Sequence, residues 1–197
     1  SVSFLDQVGK IYANLKIGAD IQGTHSLAAN DGLSTRGVML FGSGFIVSQD
    51  KAKALGLGRD PEVAKVIKPY FNGRDLLARS RNVMVIDLLG MAEEDVRERV
   101  PAVYQHVRDN VWPERRENNR ESRRKKWWLF GEPLAPFRPA LEHLPRFIVT
   151  AETTKHRIFQ FLDGSVLPDN ALIAFAVSGS DDLAVLSSRI HVCWSLA

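Results

Sequence analysis

The chain has 197 residues, 45% of them hydrophobic and 25% charged, with 26 basic side chains against 23 acidic ones. That balance fits a folded globular protein, excludes a disordered one, and leaves room for one good-sized domain. No apolar run approaches the roughly 18 to 20 residues that span a bilayer.

The opening, SVSFLDQVGK, carries neither an initiator methionine nor a signal-peptide pattern, so the chain is expected to be a piece of a longer protein. Residues 1–36 read as a linker or tether from a preceding domain, and 37–197 as the domain itself. Gly37 to Ser48 gives two short apolar strands around Gly42-Ser43-Gly44. Ser48 can cap a short helix that runs to Leu55 and closes at Gly56. Asp60-Pro61 opens another helix, with a cap residue followed by proline at the first helical position. Asn72-Gly73 is a turn signal. Val83 to Leu88 reads as a buried strand, and Glu93-Glu94-Asp95 as a helix start that Pro101 interrupts.

Val103, Val107 and Val111 recur at every fourth position and share one helical face. Pro113 ends that segment, a basic stretch follows, and Trp127-Trp128 leads into a proline-punctuated loop. Strands are expected at Arg146–Val149, Arg157–Leu162 and Leu172–Val177. Leu183, Leu186, Ile190 and Trp194 mark one face of a closing helix, with Asp181-Asp182 at its positive end. The single cysteine, Cys193, excludes an internal disulfide framework and reads as a small buried residue of a protein in the reducing cytoplasm. Strands and helices alternate irregularly, which predicts an α+β fold with a mostly antiparallel, or mixed, sheet flanked by helices.

Most catalytic chemistry finds no support. Phe41-Gly42-Ser43-Gly44-Phe45 looks like a glycine loop for S-adenosylmethionine, but such a loop needs a helix after it, and here the apolar strand Ile46-Val47 follows. The Asn/Asp-Pro-Pro-Tyr/Phe motif of amino-methyltransferases is absent. Asp60, Glu62 and Lys65 imitate a magnesium nuclease centre, yet their spacing matches a capped helix start. The five histidines show no metal-ligand spacing, and there is no nucleophile elbow or phosphate loop. This chain alone is expected not to be catalytic.

Charge is concentrated. Between Glu114 and Lys126 stand seven basic residues (Arg115, Arg116, Arg120, Arg123, Arg124, Lys125, Lys126) and three acidic ones (Glu114, Glu117, Glu121), a local excess larger than the whole chain's +3. Such a patch is the footprint of phosphate binding, and equally that of a solvated helix laced with ion pairs such as Glu117 with Arg120 and Arg124. Charge alone does not choose between them. The stretch Thr150 to Arg157 joins two strands and is dense in side chains that can donate to or accept from base edges. On its own it reads first as an ordinary polar hairpin. Trp127-Trp128 could stack on a base or on Arg124, though at least one of the two belongs in the core.

Several segments, in order, carry a resemblance. They are Gly44-Phe45-Ile46-Val47; Ile67-Lys68-Pro69-Tyr70-Phe71-Asn72-Gly73-Arg74-Asp75-Leu76; Val85-Ile86-Asp87; Pro101 to Val107; Val111-Trp112-Pro113-Glu114-Arg115; Trp127-Trp128; Arg146 to Thr150; Lys155-His156-Arg157-Ile158-Phe159; and Val185 to Trp194. From Gly37 to Ala197 the chain resembles the target-recognition domain of the MmeI-like restriction–modification enzymes and related adenine-specific DNA methylases.

The resemblance implies a fragment that binds double-stranded DNA and reads its target. It further implies a catalytic adenine-N6 methyltransferase domain on the same polypeptide, with S-adenosylmethionine bound there and no cofactor in this chain. Lys155, His156 and Arg157 match a family motif, and Glu152, Thr153 and Thr154 just before it are the expected base readers. Arg115, Arg116, Arg123, Arg124, Lys125 and Lys126 are the expected phosphate contacts. Ser187 to His191 matches another recurrent segment, which can reflect packing as much as binding. The rival readings are an RNA- or protein-interaction module and an atypical self-contained methyltransferase.

Overall fold

In a computed structural model that describes residues 8–11, 24–25 and 27–195, the strands form two four-stranded sheets. One has the order β1 (Ser34–Arg36), β8 (Leu172–Phe175), β5 (Arg146–Ala151), β6 (Phe159–Asp163) and is antiparallel throughout. The other runs β2 (Ile46–Ser48), β4 (Val83–Ile86), β3 (Ile67–Phe71), β7 (Leu167–Pro168), and its last pair is parallel. The fold is therefore α+β and mostly antiparallel as expected, with two sheets in place of one. Most of the stretch read as linker lies outside the described residues. Its last three residues are an edge strand, so the sheet begins before Gly37.

The helices follow the local signals closely. Ser48 Oγ accepts from Lys51 N at 3.1 Å and starts α1 (Gln49–Ala54), and Gly56 closes it in the left-handed region. Asp60 caps α2 (Pro61–Val66) through Glu62 N at 2.8 Å. Asn72-Gly73 is not a turn. Asn72 caps α3 (Gly73–Leu77) in a reciprocal box with Asp75. Pro101 both ends α4 (Glu93–Arg99) and occupies the first position of α5 (Pro101–Asn110), where its missing N–H costs nothing. Pro113 likewise sits inside a further turn, α6 (Trp112–Arg115), rather than ending the segment. Two short helices follow, α7 (Glu121–Lys125) and α8 (Arg138–Glu142), and the fold closes with α9 (Ser180–Leu186) and α10 (Arg189–Ser195). No helix among the described residues is long and apolar enough to cross a membrane.

Each sheet has its own apolar cluster. Against the β4 sheet lie Val103, Val107 and Val111 of α5 and its end, all buried with Phe45, Val85, Ile86, Trp127 and Phe130. At about 1.5 kcal/mol or more per buried valine, this face alone fixes α5 on the sheet. Gly44 lets it come close, because a Cβ there would stand 2.5 Å from the Asn110 carbonyl oxygen. The glycine run thus serves a short 3-10 turn docked on α5. Around the β5 sheet, Leu76, Phe147, Val149, Leu162 and Leu172 form the second cluster, with Phe137 and Leu141 packed on it.

Two segments running side by side join the sheets. Val38 N donates to Pro168 O at 2.9 Å, and Gly37 N to Leu172 O at 2.9 Å. Gly37 has no room for a side chain, since a Cβ would meet Pro168 O at 2.1 Å.

The C-terminal end departs from expectation. The apolar spacing from Leu183 to Trp194 predicts one amphipathic helix, but the chain breaks at Ser187-Ser188 and Ser188 Oγ receives His191 N at 3.2 Å as α10 begins. Val185, Ile190 and Trp194 stand exposed, and Cys193 is exposed rather than buried. The periodicity identified a face that these residues leave uncovered.

Candidate nucleic-acid interface

In the antiparallel β5 sheet, the end of β1, the start of β8, the end of β5 and the start of β6 all lie at one edge. The loop from Glu152 to Ile158 closes the β5–β6 hairpin there. Thr153, Lys155 and His156 are exposed, while Glu152, Thr154 and Arg157 are half-buried. Glu152 N donates to Ala171 O at 2.9 Å, which holds the start of the loop against the entry to β8. Within the loop, His156 N donates to Thr154 Oγ1 at 3.3 Å. The side chains of Lys155, His156 and Arg157 make no hydrogen bond or ion pair among the described residues, and so remain available to a partner.

Glu152 is already engaged, because its carboxylate pairs with Arg36 of β1. Arg36 is a residue that sequence reasoning missed, having been assigned to the linker; only the pairing of Arg36 with Ile173, and of Ile173 with Thr150, brings it beside the loop. Arg74, at the start of α3, is a second. It lines a hollow of about 280 Å³ together with Asn72, Ala151, Thr153 and Ala171. Neither residue has a local sequence signal.

The basic stretch divides. Arg115 cannot touch a phosphate in this structure: it is 1% exposed. Its Nη2 donates to Leu40 O at 2.8 Å and Leu129 O at 3.0 Å, tying α6 to two loops, while Nε and Nη1 are buried without a partner. Burial above all, helped by the nearby Arg123 charge, lowers its pKa. Arg123 is also largely withdrawn. Its guanidinium lies 3.6 Å from the centre of the Phe41 ring, with the Glu132 carboxylate 3.8 Å away.

Arg116, Lys125 and Lys126 are exposed, and Arg124 is half-buried and donates to Asn118 O. Lys125 pairs with Glu121 at 2.8 Å and Arg116 with Glu117 at 3.4 Å, so ion pairing does occur here, between other partners than those expected. Trp127 is buried, and Trp128 is half-buried with its Nε1 donating to Met91 O at 3.0 Å. Both tryptophans belong to the core side. No hydrogen bond or ion pair joins the basic stretch to the Glu152–Arg157 loop; the first belongs to the β4 sheet's cluster and the second to the edge of the β5 sheet.

A buried carboxylate bonds to neither. Asp87 accepts from Arg138 and, at 3.1 Å, from Lys68 Nζ. Burial would raise its pKa, but the Arg138 hydrogen bond and the two positive charges outweigh that and hold it below the usual carboxylate range. Arg138 opens α8, whose segment packs through Phe137 and Leu141 on the β5 sheet's cluster, so the trio clamps α8 to the β4 sheet.

Comparison with known proteins is informative at the level of fold. No family model matches the chain, and no curated protein matches it. Among solved structures, the chain is similar to the type IIL restriction-modification enzyme MmeI, whose structure was determined in complex with DNA. The TM-score is 0.68 at 15% identity, covering 93% of this chain and 24% of that one. Two chains can share a backbone this closely while sharing few residues, so the likeness establishes architecture and leaves the side-chain chemistry to the geometry above.

Proposed function

We propose that this chain binds duplex DNA and reads its target sequence on behalf of a larger adenine-N6 methyltransferase or fused restriction–modification enzyme. The reading is carried by one observation: nearly the whole chain follows the backbone of a segment of a restriction–modification enzyme solved on DNA. Methyl transfer belongs, in this proposal, to an S-adenosylmethionine-dependent domain elsewhere on the same cytoplasmic polypeptide, and this chain supplies grip and specificity.

The side chains support a division of labour. Lys155, His156 and Arg157, with Thr153 and Thr154, are free to meet base edges; Arg157 can donate twice to a guanine. Glu152 acts with Arg36 as a couple, in which the carboxylate aims the guanidinium or accepts from cytosine. Arg116, Arg124, Lys125 and Lys126 provide the phosphate contacts that remain once Arg115 is assigned to the core and Arg123 to the Phe41 ring.

Titration of a blunt duplex at several salt concentrations tests the reading. Four phosphate contacts give a slope of log affinity against log salt near about −3.6, at roughly −0.9 per contact. Affinity that does not respond to salt would remove the phosphate assignment, and equal affinity for all sequences in the full-length parent would remove the specificity role.

A further inference from the structure

One end of the basic stretch meets aromatic and cationic residues from outside it in a second place. Tyr104, Arg108 and Trp112 are spaced by four residues, one per turn along α5 into α6, and therefore share a face. That face borders a cleft of about 470 Å³. Arg97 enters it from the last turn of α4, and Arg124 and Lys125 from α7. The floor is aromatic: the Trp112 and Trp127 rings meet edge to face with centres 5.4 Å apart, and Tyr104 and Trp127 lie 5.9 Å apart.

The lining is unbalanced in charge. Four cationic side chains face one carboxylate, Glu93, which accepts the Tyr104 hydroxyl at 2.9 Å. Arg97 and Arg108 are exposed and make no hydrogen bond or ion pair among the described residues. A cationic ligand is thereby excluded, and a wholly apolar one would leave the arginines without purpose. A ligand suited to both walls carries an anionic ester on a flat ring. The volume lies in the range of pockets that hold one small molecule, roughly 300 to 1,000 Å³, and is far too small for a double helix, whose bases are stacked away from such a floor.

We propose that this cleft takes a single unpaired nucleotide, its phosphate between Arg97, Arg108 and Arg124 and its base against Trp112. The inference deepens the DNA reading above, on which it rests for the class of partner. Within that reading the cleft holds a nucleotide of a displaced or single-stranded segment beside the duplex.

Intrinsic tryptophan fluorescence tests it, titrating the whole chain with a short oligothymidylate, a blunt duplex and polyglutamate. Oligothymidylate is expected to quench the signal. Replacing both exposed arginines, Arg97→Ala with Arg108→Ala, makes the salt slope for the single strand shallower by about 1.4, at roughly 0.7 per contact. Trp112→Leu weakens single-strand binding roughly 5- to 150-fold, the range for loss of one stacked base, and leaves blunt-duplex affinity unchanged. Because Trp112 also touches the core, the arginine pair is the variant that keeps the test valid if Trp112→Leu unfolds.

An oligothymidylate affinity indifferent to the arginine pair overturns the proposal, as does polyglutamate competing equally well. A chain that binds blunt duplex but not oligothymidylate loses the cleft and keeps the DNA reading. One that binds oligothymidylate but not duplex keeps the cleft and loses the duplex reading, and one that binds neither loses both.

Discussion

The surroundings of the β4 sheet and the open edge of the β5 sheet use the same residue types in opposite ways. Around the β4 sheet, several cations are pulled inward while Arg97 and Arg108 stay exposed. Arg115 ties two carbonyls, Arg138 and Lys68 close on Asp87, and Arg123 lies on Phe41. At the β5 edge, Lys155 and His156 are exposed and Arg157 is half-buried, and none of the three side chains makes a hydrogen bond or ion pair among the described residues. The comparison teaches that a count of basic residues is not a count of contacts. A guanidinium has five donors, and whether they are spent on this chain or left for another is decided by what the fold places beside it.

Five measurements can break or sharpen that contrast, the largest effect first. Asp87→Ala leaves the largely buried Arg138 guanidinium without its carboxylate, and the more exposed Lys68 with it, and should cost about 3–5 kcal/mol of stability by urea unfolding. The same clamp has a pH signature. Its carboxyl is held below the ordinary value of 3.8, as is that of Asp75, where burial is outweighed by the Arg81 hydrogen bonds. Folding therefore loses protons at these two groups, so their stabilisation is in force above about pH 4 and disappears as pH falls through the lower folded values. Stability that stays level on acidification would show that these groups are not clamped.

Arg115→Ala should cost about 3 kcal/mol, from two carbonyls losing a charged donor together with lost packing, and should shift the thermal midpoint accordingly. A neutral effect on folding with a loss of DNA affinity would reverse its assignment. Arg157→Ala should do the converse. Duplex affinity or discrimination is expected to fall by about 1–3 kcal/mol, whereas folding moves within about 0.5 kcal/mol, as for an ordinary surface substitution. Smallest of all, Lys125→Ala should change the salt slope by about 0.9 while leaving sequence preference intact. A change in preference there would mean that the grip and the reading are not separate.

Much of the fold was legible beforehand, for local reasons. Ser48, Asp60 and Pro101 mark helix starts because a cap bonds to backbone two or three residues away, and the valines of α5 declare their face by spacing alone. The same locality misled at two places. Asn72-Gly73 satisfies the rules of a turn and of a cap alike, and what decides between them is the reciprocal bonding of Asp75 three residues on. At the C-terminal end the apolar spacing was real, yet α9 and α10 break at Ser188 and leave Ile190 and Trp194 exposed, because periodicity specifies a face and not what covers it.

The site was legible in part. The Lys155–Arg157 loop could be found as a polar stretch between two strands. Arg36 could not, since it reaches Glu152 only across β8, and no rule of spacing relates residues so far apart in the chain. The convergence of Arg97, Arg108 and Arg124 on one aromatic floor was hidden for the same reason.

By itself, then, the sequence determined the α+β class, most helix starts, the buried face of α5 and the two charged or polar segments, all properties of residues within a turn or two of one another. Tertiary structure decided that there are two sheets, that Arg115 is a buried tie while the Arg157 side chain bonds to none of the described residues, and that Arg36 joins the loop. Those outcomes depend on pairing between distant segments, where the cost of burying an unpaired polar group, and not local propensity, selects the arrangement.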